Sequence, residues 1–193
     1  MRIQYMSDLH LEFQENSRYL RYNELPVTGD VLVLAGDIFY LKDKTAPVMN
    51  FWKWASKNYR QVLIVPGNHE YFVWKGMNDF RQIKFGGKLL QVEEFNRMHE
   101  ISIDFIRKNI EESTANHIVV VTHHLPTLQV VAAHHRGSVL NSAFASEYDN
   151  LIANSRIDAW IYGHSHTNID TEIGGTRVIS NQMGYIFANE HLM

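Results

Sequence analysis

Val31-Leu32-Val33-Leu34-Ala35-Gly36-Asp37 is an apolar run of strand length that stops abruptly at a glycine and a carboxylate. Nothing polar interrupts it, which is the pattern of a strand covered on both faces, as in a parallel sheet packed under helices. Gly36 lets the chain turn sharply, and Asp37 is then delivered at the C-terminal end of the strand. The same punctuation recurs along the chain. Arg2 to Met6 runs into Ser7-Asp8-Leu9-His10, and Val62 to Val65 into Gly67-Asn68-His69-Glu70. Ile118 to Val121 runs into Thr122-His123-His124, and Ala159 to Tyr162 into Gly163-His164-Ser165-His166. These runs are expected to be buried strands whose polar ends converge on one crevice, the place where open α/β sheets bind ligands.

Between the strands lie amphipathic stretches. Pro47 to Tyr59, with Pro near its start and Val48, Phe51, Trp52 and Ala55 spaced for one face, predicts a helix. Val92 to Ile110 predicts a second, its apolar stripe carried by Phe95, Met98, Ile101, Phe105 and Ile106. Ser146 to Asn154 predicts a third, and Glu172 to Ile179 reads as a hairpin turning at Gly174-Gly175. Strands alternating with helices make the chain α/β, and 193 residues without an internal repeat or linker are expected to form a single domain, 1–193. Trp74 to Lys88 is the least regular stretch and is expected to be a surface loop, with a lid as the alternative.

Composition excludes whole classes of function. Eighteen basic and 21 acidic residues give a net charge of −3, and no run gathers like charges into an arm for a polyanion, so stable nucleic-acid binding is not expected. No apolar run approaches the ~20 residues of a membrane span, so no membrane association is expected either. The first residues, Met1 to Asp8, lack the apolar segment and small-residue cleavage site of a secretory signal, so a cytoplasmic location is expected. Cysteine is absent, which removes disulfides, thiolate metal sites and cysteine nucleophiles. Histidine, at 11 residues, is the outlier.

The polar strand ends deliver two carboxylates, an amide and several imidazoles, the oxygen and nitrogen donors that suit first-row divalent metals. Alternate residues of an extended segment face one side, so Asp8 with His10, and His164 with His166, can each reach a common site. Asp8, His10, Asp37, Asn68, His123, His164 and His166 are too many for one four-coordinate ion but fit two divalent ions with one carboxylate between them. Mn, Fe, Zn, Co and Ni all accept such a set. Gly36, Gly67 and Gly163 keep bulky side chains away from the ions.

In residues 8 to 166 the ordered blocks Asp8-x-His10, Gly36-Asp37, Gly67-Asn68-His69-Glu70, His123 and Gly163-His164-x-His166 resemble the signature of the calcineurin-like metallophosphoesterases. The resemblance implies a four-layer α/β/β/α sandwich with the metal site at the C-terminal strand ends. It further implies that Asp8, His10, Asp37 and His166 hold one metal, that Asp37, Asn68, His123 and His164 hold the other, and that His69 faces the substrate without ligating. The expected activity is hydrolysis of a small-molecule phosphoric monoester or diester. Hydroxide shared by the two cations would attack phosphorus, and His69, the one motif histidine not ligating, would act as general acid. One departure bears on subfamily. Where the calcineurin-related protein phosphatases carry an Asp and an Arg after Gly-Asp, this chain has Ile38-Phe39-Tyr40-Leu41, so the usual partner that orients the catalytic histidine is missing. The chain resembles instead the compact bacterial-type members.

Other residues have two readings each. Glu70 either orients a ligand or is a solvated turn carboxylate. His124, one residue from a proposed ligand, is expected to be structural or to support a ligand. His134 or His135, with Asn141, lies in a segment that can fold over the crevice, and His135 and Asn141 are the candidate substrate contacts; Arg136 is a candidate grip on a second phosphate. Tyr71, Phe72 and Trp74 are an aromatic wall or, more simply, core. His99, His117 and His191 have no motif context. The competing functions are a noncatalytic protein-binding scaffold of the same fold, which the intact donor set disfavours, and a nuclease, which the lack of basic clusters disfavours.

Overall fold

The computed structural model describes residues 1–41, 44–71, 83–138 and 141–192. Phe72, most of the Trp74 to Lys88 stretch and the alternative of a lid there lie outside the described residues. Three strands, β1 (Ile3–Met6), β2 (Val31–Leu34) and β3 (Gln61–Ile64), form a parallel sheet in that order. A two-residue-per-strand hairpin, β4 (Lys84–Phe85) and β5 (Lys88–Leu89), stands apart. The second large sheet contains β6 (Val119–Val121), β7 (Ala159–Tyr162), β8 (Asp170–Ile173) and β9 (Thr176–Ser180), in the order β6-β7-β9-β8 with only β8 antiparallel. Helices α1 (Gln14–Tyr22), α2 (Ala46–Asn58), α3 (Val92–Glu112), α4 (Asn141–Phe144) and α5 (Asp149–Asn154) complete the elements, with short 3-10 turns between them.

The alternation of side chains along each strand builds the layers. In β2, Leu32 and Leu34 point outward into a core closed by Val48, Phe51 and Ala55 of α2. Val33 of β2 and the following Ala35 point inward and meet Ile161 and Ile179 of the second sheet. On the far side Trp160, Tyr162 and Val178 turn outward to Ile152 of α5 and Ile106 and Ile110 of α3. Helix, sheet, sheet, helix is the order of layers, as the resemblance implied. Beyond the strands the sheets are joined: Ser7 pairs with Gln182, and the Ser7 amide donates to Asn181 O at 3.0 Å.

Three expectations need correcting. β3 is an edge strand and not buried, with Leu63 and Ile64 exposed at 47% and 44%. The helix expected from Ser146 begins only at Asp149, because the amides of Ser146 and Tyr148 donate to Leu125 O and Pro126 O and hold that stretch out of the helix. In α3 Ile103 and Ile110 are buried and Ile106 partly so, whereas Met98, Ile101 and Phe105 of the expected stripe are exposed.

Candidate metal centre

Each donor leaves its strand along a backbone clamped to the neighbouring strand end. The amides of Asp8 and His10 donate to Gly36 O and Asp37 O, both at 3.0 Å, so the segments after β1 and β2 stay paired past the sheet. Gly163 N donates to His123 O at 2.9 Å, which does the same after β6 and β7. His164 N reaches both Asp8 carboxylate oxygens at 3.1 Å, tying one sheet's strand end to the other's. Asp8, His10, Asp37, His164 and His166 all adopt left-handed backbone, with φ between 47° and 73°. Among the described non-glycine residues only Asn189 shares that conformation. Such backbone costs of order 1–3 kcal/mol per residue and persists where the surroundings over-determine it, typically at functional sites. Gly36 has φ 87°, and a Cβ there would run into His123; a Cβ at Gly67 would strike the Asp37 carboxylate. Only glycine lets these strand ends crowd together.

The donor atoms fall into neighbouring groups: Asp8, His10 and His166; Asp37, His123 and His164; and, between them, His10, Asp37 and His69. His10 Nε2 lies 3.0 Å from His166 Nε2, and His166 Nε2 lies 3.4 Å from Asp8 Oδ1. His123 Nε2 lies 3.1 Å from Asn68 Oδ1, 3.1 Å from His164 Nδ1 and 3.3 Å from Asp37 Oδ2. With metal–ligand bonds of about 2.0–2.2 Å, adjacent donors sit about 3.0 Å apart in octahedral and about 3.4 Å apart in tetrahedral coordination, so these separations fit cations. Asp37 Oδ2 stands between the groups, 4.0 Å from His10 Nε2 and 3.3 Å from His123 Nε2.

The outward nitrogens explain why the inward ones aim at the centre. His123 Nδ1 donates to Ala35 O at 2.9 Å, His166 Nδ1 to Glu190 Oε2 at 2.6 Å and His10 Nδ1 to Glu12 Oε1 at 3.1 Å. An imidazole whose Nδ1 proton is held by an oxygen presents Nε2 on the opposite side, the arrangement that orients metal-binding histidines. Gln182 Oε1 accepts from His166 N at 2.7 Å and fixes that loop as well. Glu70 is buried, and its carboxylate accepts from the amides of Asp37, Ile38, Phe39 and Gly67 at 2.7–3.3 Å. It is therefore no solvated turn residue: it pins the two loops that carry Asp37 and Asn68.

Buried charge is balanced within the site. Burial pushes the Asp37 and Asp8 carboxyls up, yet the neighbouring imidazoles His123 and His166 prevail and hold both below the usual range. Reciprocally, burial lowers His123 but the Asp37 charge raises it to about 9. His166 is likewise lowered by burial and raised by Asp8 and Glu190 to about 10. His124, buried beside the His123 charge, is pulled down to about 3, and its ring lies 4.4 Å from that of His164. The metal-free site thus carries protons where cations would bind.

His69 sits beside these donors without belonging to either outer group. Its backbone amide donates to Asp37 Oδ1 at 2.8 Å, and its Nδ1 to Glu12 Oε1 at 2.7 Å. Burial lowers its pKa, but the bond to Glu12 and the Asp37 charge raise it above the ordinary value overall. The Tyr185 hydroxyl is 3.4 Å from its Nε2, and the Tyr185 ring packs on His10, Phe13 and Phe187.

The seven expected donors and His69 are brought together; the expected substrate contacts are not shown at the site. His135 is exposed and lies tilted against His134, and the Asn141 amide donates to His135 O at 2.9 Å. What does reach the crevice from that segment is Phe144, whose ring lies 4.8 Å from that of His164. Tyr71 is exposed, so it is not core. Sequence reasoning missed Glu12, Tyr185 and Glu190. Glu12 alone had a signal, as the next alternate position after Asp8 and His10.

The chain resembles known proteins in sequence and in fold. A protein of Acanthamoeba polyphaga mimivirus, Uncharacterized protein L509, is 26% identical over 258 aligned positions, covering 95% of this chain and 91% of its own. The crystal structure of the phosphopantetheinyl hydrolase PptH from Mycobacterium tuberculosis matches with a TM-score of 0.71 at 15% identity, covering 95% of this chain and 89% of that one. Identity that low speaks to the fold. The profile of the calcineurin-like phosphoesterases matches residues 1–168, the stretch that carries every donor described above, and the chain belongs to that family of metal-dependent hydrolases.

Proposed function

We propose that this chain is a dinuclear phosphoesterase acting on a small-molecule phosphoric ester. Asp8, His10, His166 and Asp37 hold one divalent cation, and Asp37, Asn68, His123 and His164 hold the second. The observation that carries this reading is the position of Asp37 Oδ2, within 4.0 Å of His10 Nε2 and 3.3 Å of His123 Nε2, so that one carboxylate reaches both donor groups. Divalent cations bound there supply Lewis acidity to the phosphoryl oxygens and to the attacking water.

The chain's own residues do the rest. Asp8 and Asp37 stay ionised and offset part of the added positive charge, leaving a site that attracts phosphate. His69, with Nδ1 engaged by Glu12, turns Nε2 toward the site and gives its proton to the departing oxygen. His135 and Asn141 stand as candidate contacts for the substrate. The ions are drawn from Mn, Fe, Zn, Co or Ni, which this donor set accepts.

The test is turnover of p-nitrophenyl phosphate and bis(p-nitrophenyl) phosphate with added Mn²⁺, alongside metal analysis. Two ions per chain and hydrolysis of either ester support the reading. Two ions with no turnover under any divalent metal point to the noncatalytic scaffold, and a single ion per chain removes the bridging role of Asp37. His69→Ala is expected to retain both ions while losing about 10²–10⁴ in rate on alkyl phosphates.

A further inference from the structure

The geometry points to Glu12 as the positioning residue for His69, one carboxylate oxygen keying the proton donor and the metal ligand His10 together. The inference rests on the reading of His69 as proton donor. Glu12 Oε1 accepts from His69 Nδ1 at 2.7 Å and from His10 Nδ1 at 3.1 Å, and the two rings stand 4.4 Å apart. The Glu12 side chain is 1% exposed.

The path from sequence to this contact is short. Past β1 the chain stays paired with the segment after β2, with His10 N on Asp37 O and Leu11 N on Ile38 O, although Asp8 and His10 have left the extended conformation. Leu9 and Leu11 therefore face the outer apolar core, and Asp8, His10 and Glu12 face the site. Asp-x-His is here the start of Asp8-x-His10-x-Glu12. The carboxylate that Ile38-Phe39-Tyr40-Leu41 fails to supply arrives from another strand end.

A purely structural role fits poorly. Glu70, the structural carboxylate of this site, engages both oxygens with backbone amides. Glu12 engages one oxygen only: Oε2 is buried with no hydrogen-bond partner among the described residues. A buried carboxylate left half-satisfied is costly to keep, and such groups are retained where they serve a function. What Glu12 does is fix the ring plane and the Nδ1–H tautomer of both imidazoles. The inward Nε2 of His10 is thereby a ligand atom, and the inward Nε2 of His69 the proton-delivering atom.

The experiment compares Glu12→Gln, His69→Ala and the double variant by two readouts. The first is long-range ¹⁵N–¹H histidine spectra of the metal-free protein. In Glu12→Gln the His69 and His10 ring signals should shift, while those of His123 and His166, held by Ala35 and Glu190, should stay as in the parent. The second is the ratio of p-nitrophenyl phosphate to alkyl phosphate turnover at saturating Mn²⁺. Glu12→Gln should lower the alkyl rate at least about tenfold more than the aryl rate, within the 10²–10⁴ a full general acid contributes, and the double variant should be no worse than His69→Ala. An unchanged His69 spectrum, or losses that simply add, would overturn the assignment. Should His69→Ala show no leaving-group dependence, the proton-donor reading falls, and the spectra still decide whether Glu12 positions the ring. If the glutamine variant does not fold, Glu12→Asp, which keeps the charge and withdraws it by one methylene, should show a smaller loss of the same kind.

Discussion

Glu70 shows how much of this site is held by residues that never face substrate. Four backbone amides converge on its carboxylate, three of them from Asp37 to Phe39 and one belonging to Gly67. Burial and the Asp37 charge raise its pKa, and those amides oppose the rise. In Glu70→Gln an amide NH₂ would face some of these donors, leaving buried N–H groups unpaired at about 1–3 kcal/mol. For a chain of this size, that lowers Tm by roughly 2–12 °C, readable by calorimetry, and the displaced Asp37 and Asn68 loops should weaken metal affinity by about 10–100-fold. A variant with unaltered Tm and metal affinity would show that the loops hold themselves. At this scale the donors were legible in the sequence because each directly follows an apolar run. Glu190 was not, because it acts through an imidazole 24 residues away from it in the chain, and no local pattern marks such a pairing; Glu12 had only its alternate spacing after His10, with its second imidazole 57 residues away.

Among the elements, legibility followed burial. β2 and β7, central strands, read as strands because both faces are covered, whereas β3 at an edge keeps an apolar sequence with an exposed surface. α1 was not read from the sequence: Gln14–Tyr22 is largely polar, and Asn16 is its one buried residue, hydrogen-bonded to Leu9 O and Gly184 O. α3 is the instructive case, since it carries two apolar stripes and periodicity cannot tell which one packs. The structure packs Ile110 and the partly buried Ile106 on the core that holds Val120 and Trp160, buries Ile103 as well, and leaves Phe105 65% exposed. Ile110→Ala should therefore cost about 2–5 kcal/mol in urea denaturation, while Phe105→Glu should stay within about 0.5 kcal/mol of the parent. The opposite ranking would mean that the stripe expected from the sequence is the one that packs.

For the whole molecule, the site is where two sheets meet. Asp8, His10, Asp37 and Asn68 come from the ends of the first sheet, and His123, His164 and His166 from the second, so bound cations would fasten the halves together. Each cation at 100 times its dissociation constant stabilises the folded chain by about 2.7 kcal/mol, and removing both by chelation should lower Tm by roughly 11–22 °C. The metal-free site also sets a pH dependence whose sign can be worked out. Near pH 7, His123 with its pKa raised to about 9 and His166 with its pKa raised to about 10 are both protonated, and ligation needs each Nε2 bare. Loading therefore displaces two protons at pH 7, fewer above pH 9, and none well above 10. The product of the two binding constants should rise with pH by as much as about 100-fold per unit between pH 7 and 9, about tenfold for each ion, the limit of one proton per ion at about 1.4 kcal/mol per unit. Titration calorimetry of Mn²⁺ in buffers of different ionisation enthalpy counts the protons directly. A count near two matches the paired Asp37–His123 and Asp8–His166 charges, and a count of zero at pH 7 would mean that those imidazoles are neutral before any cation arrives.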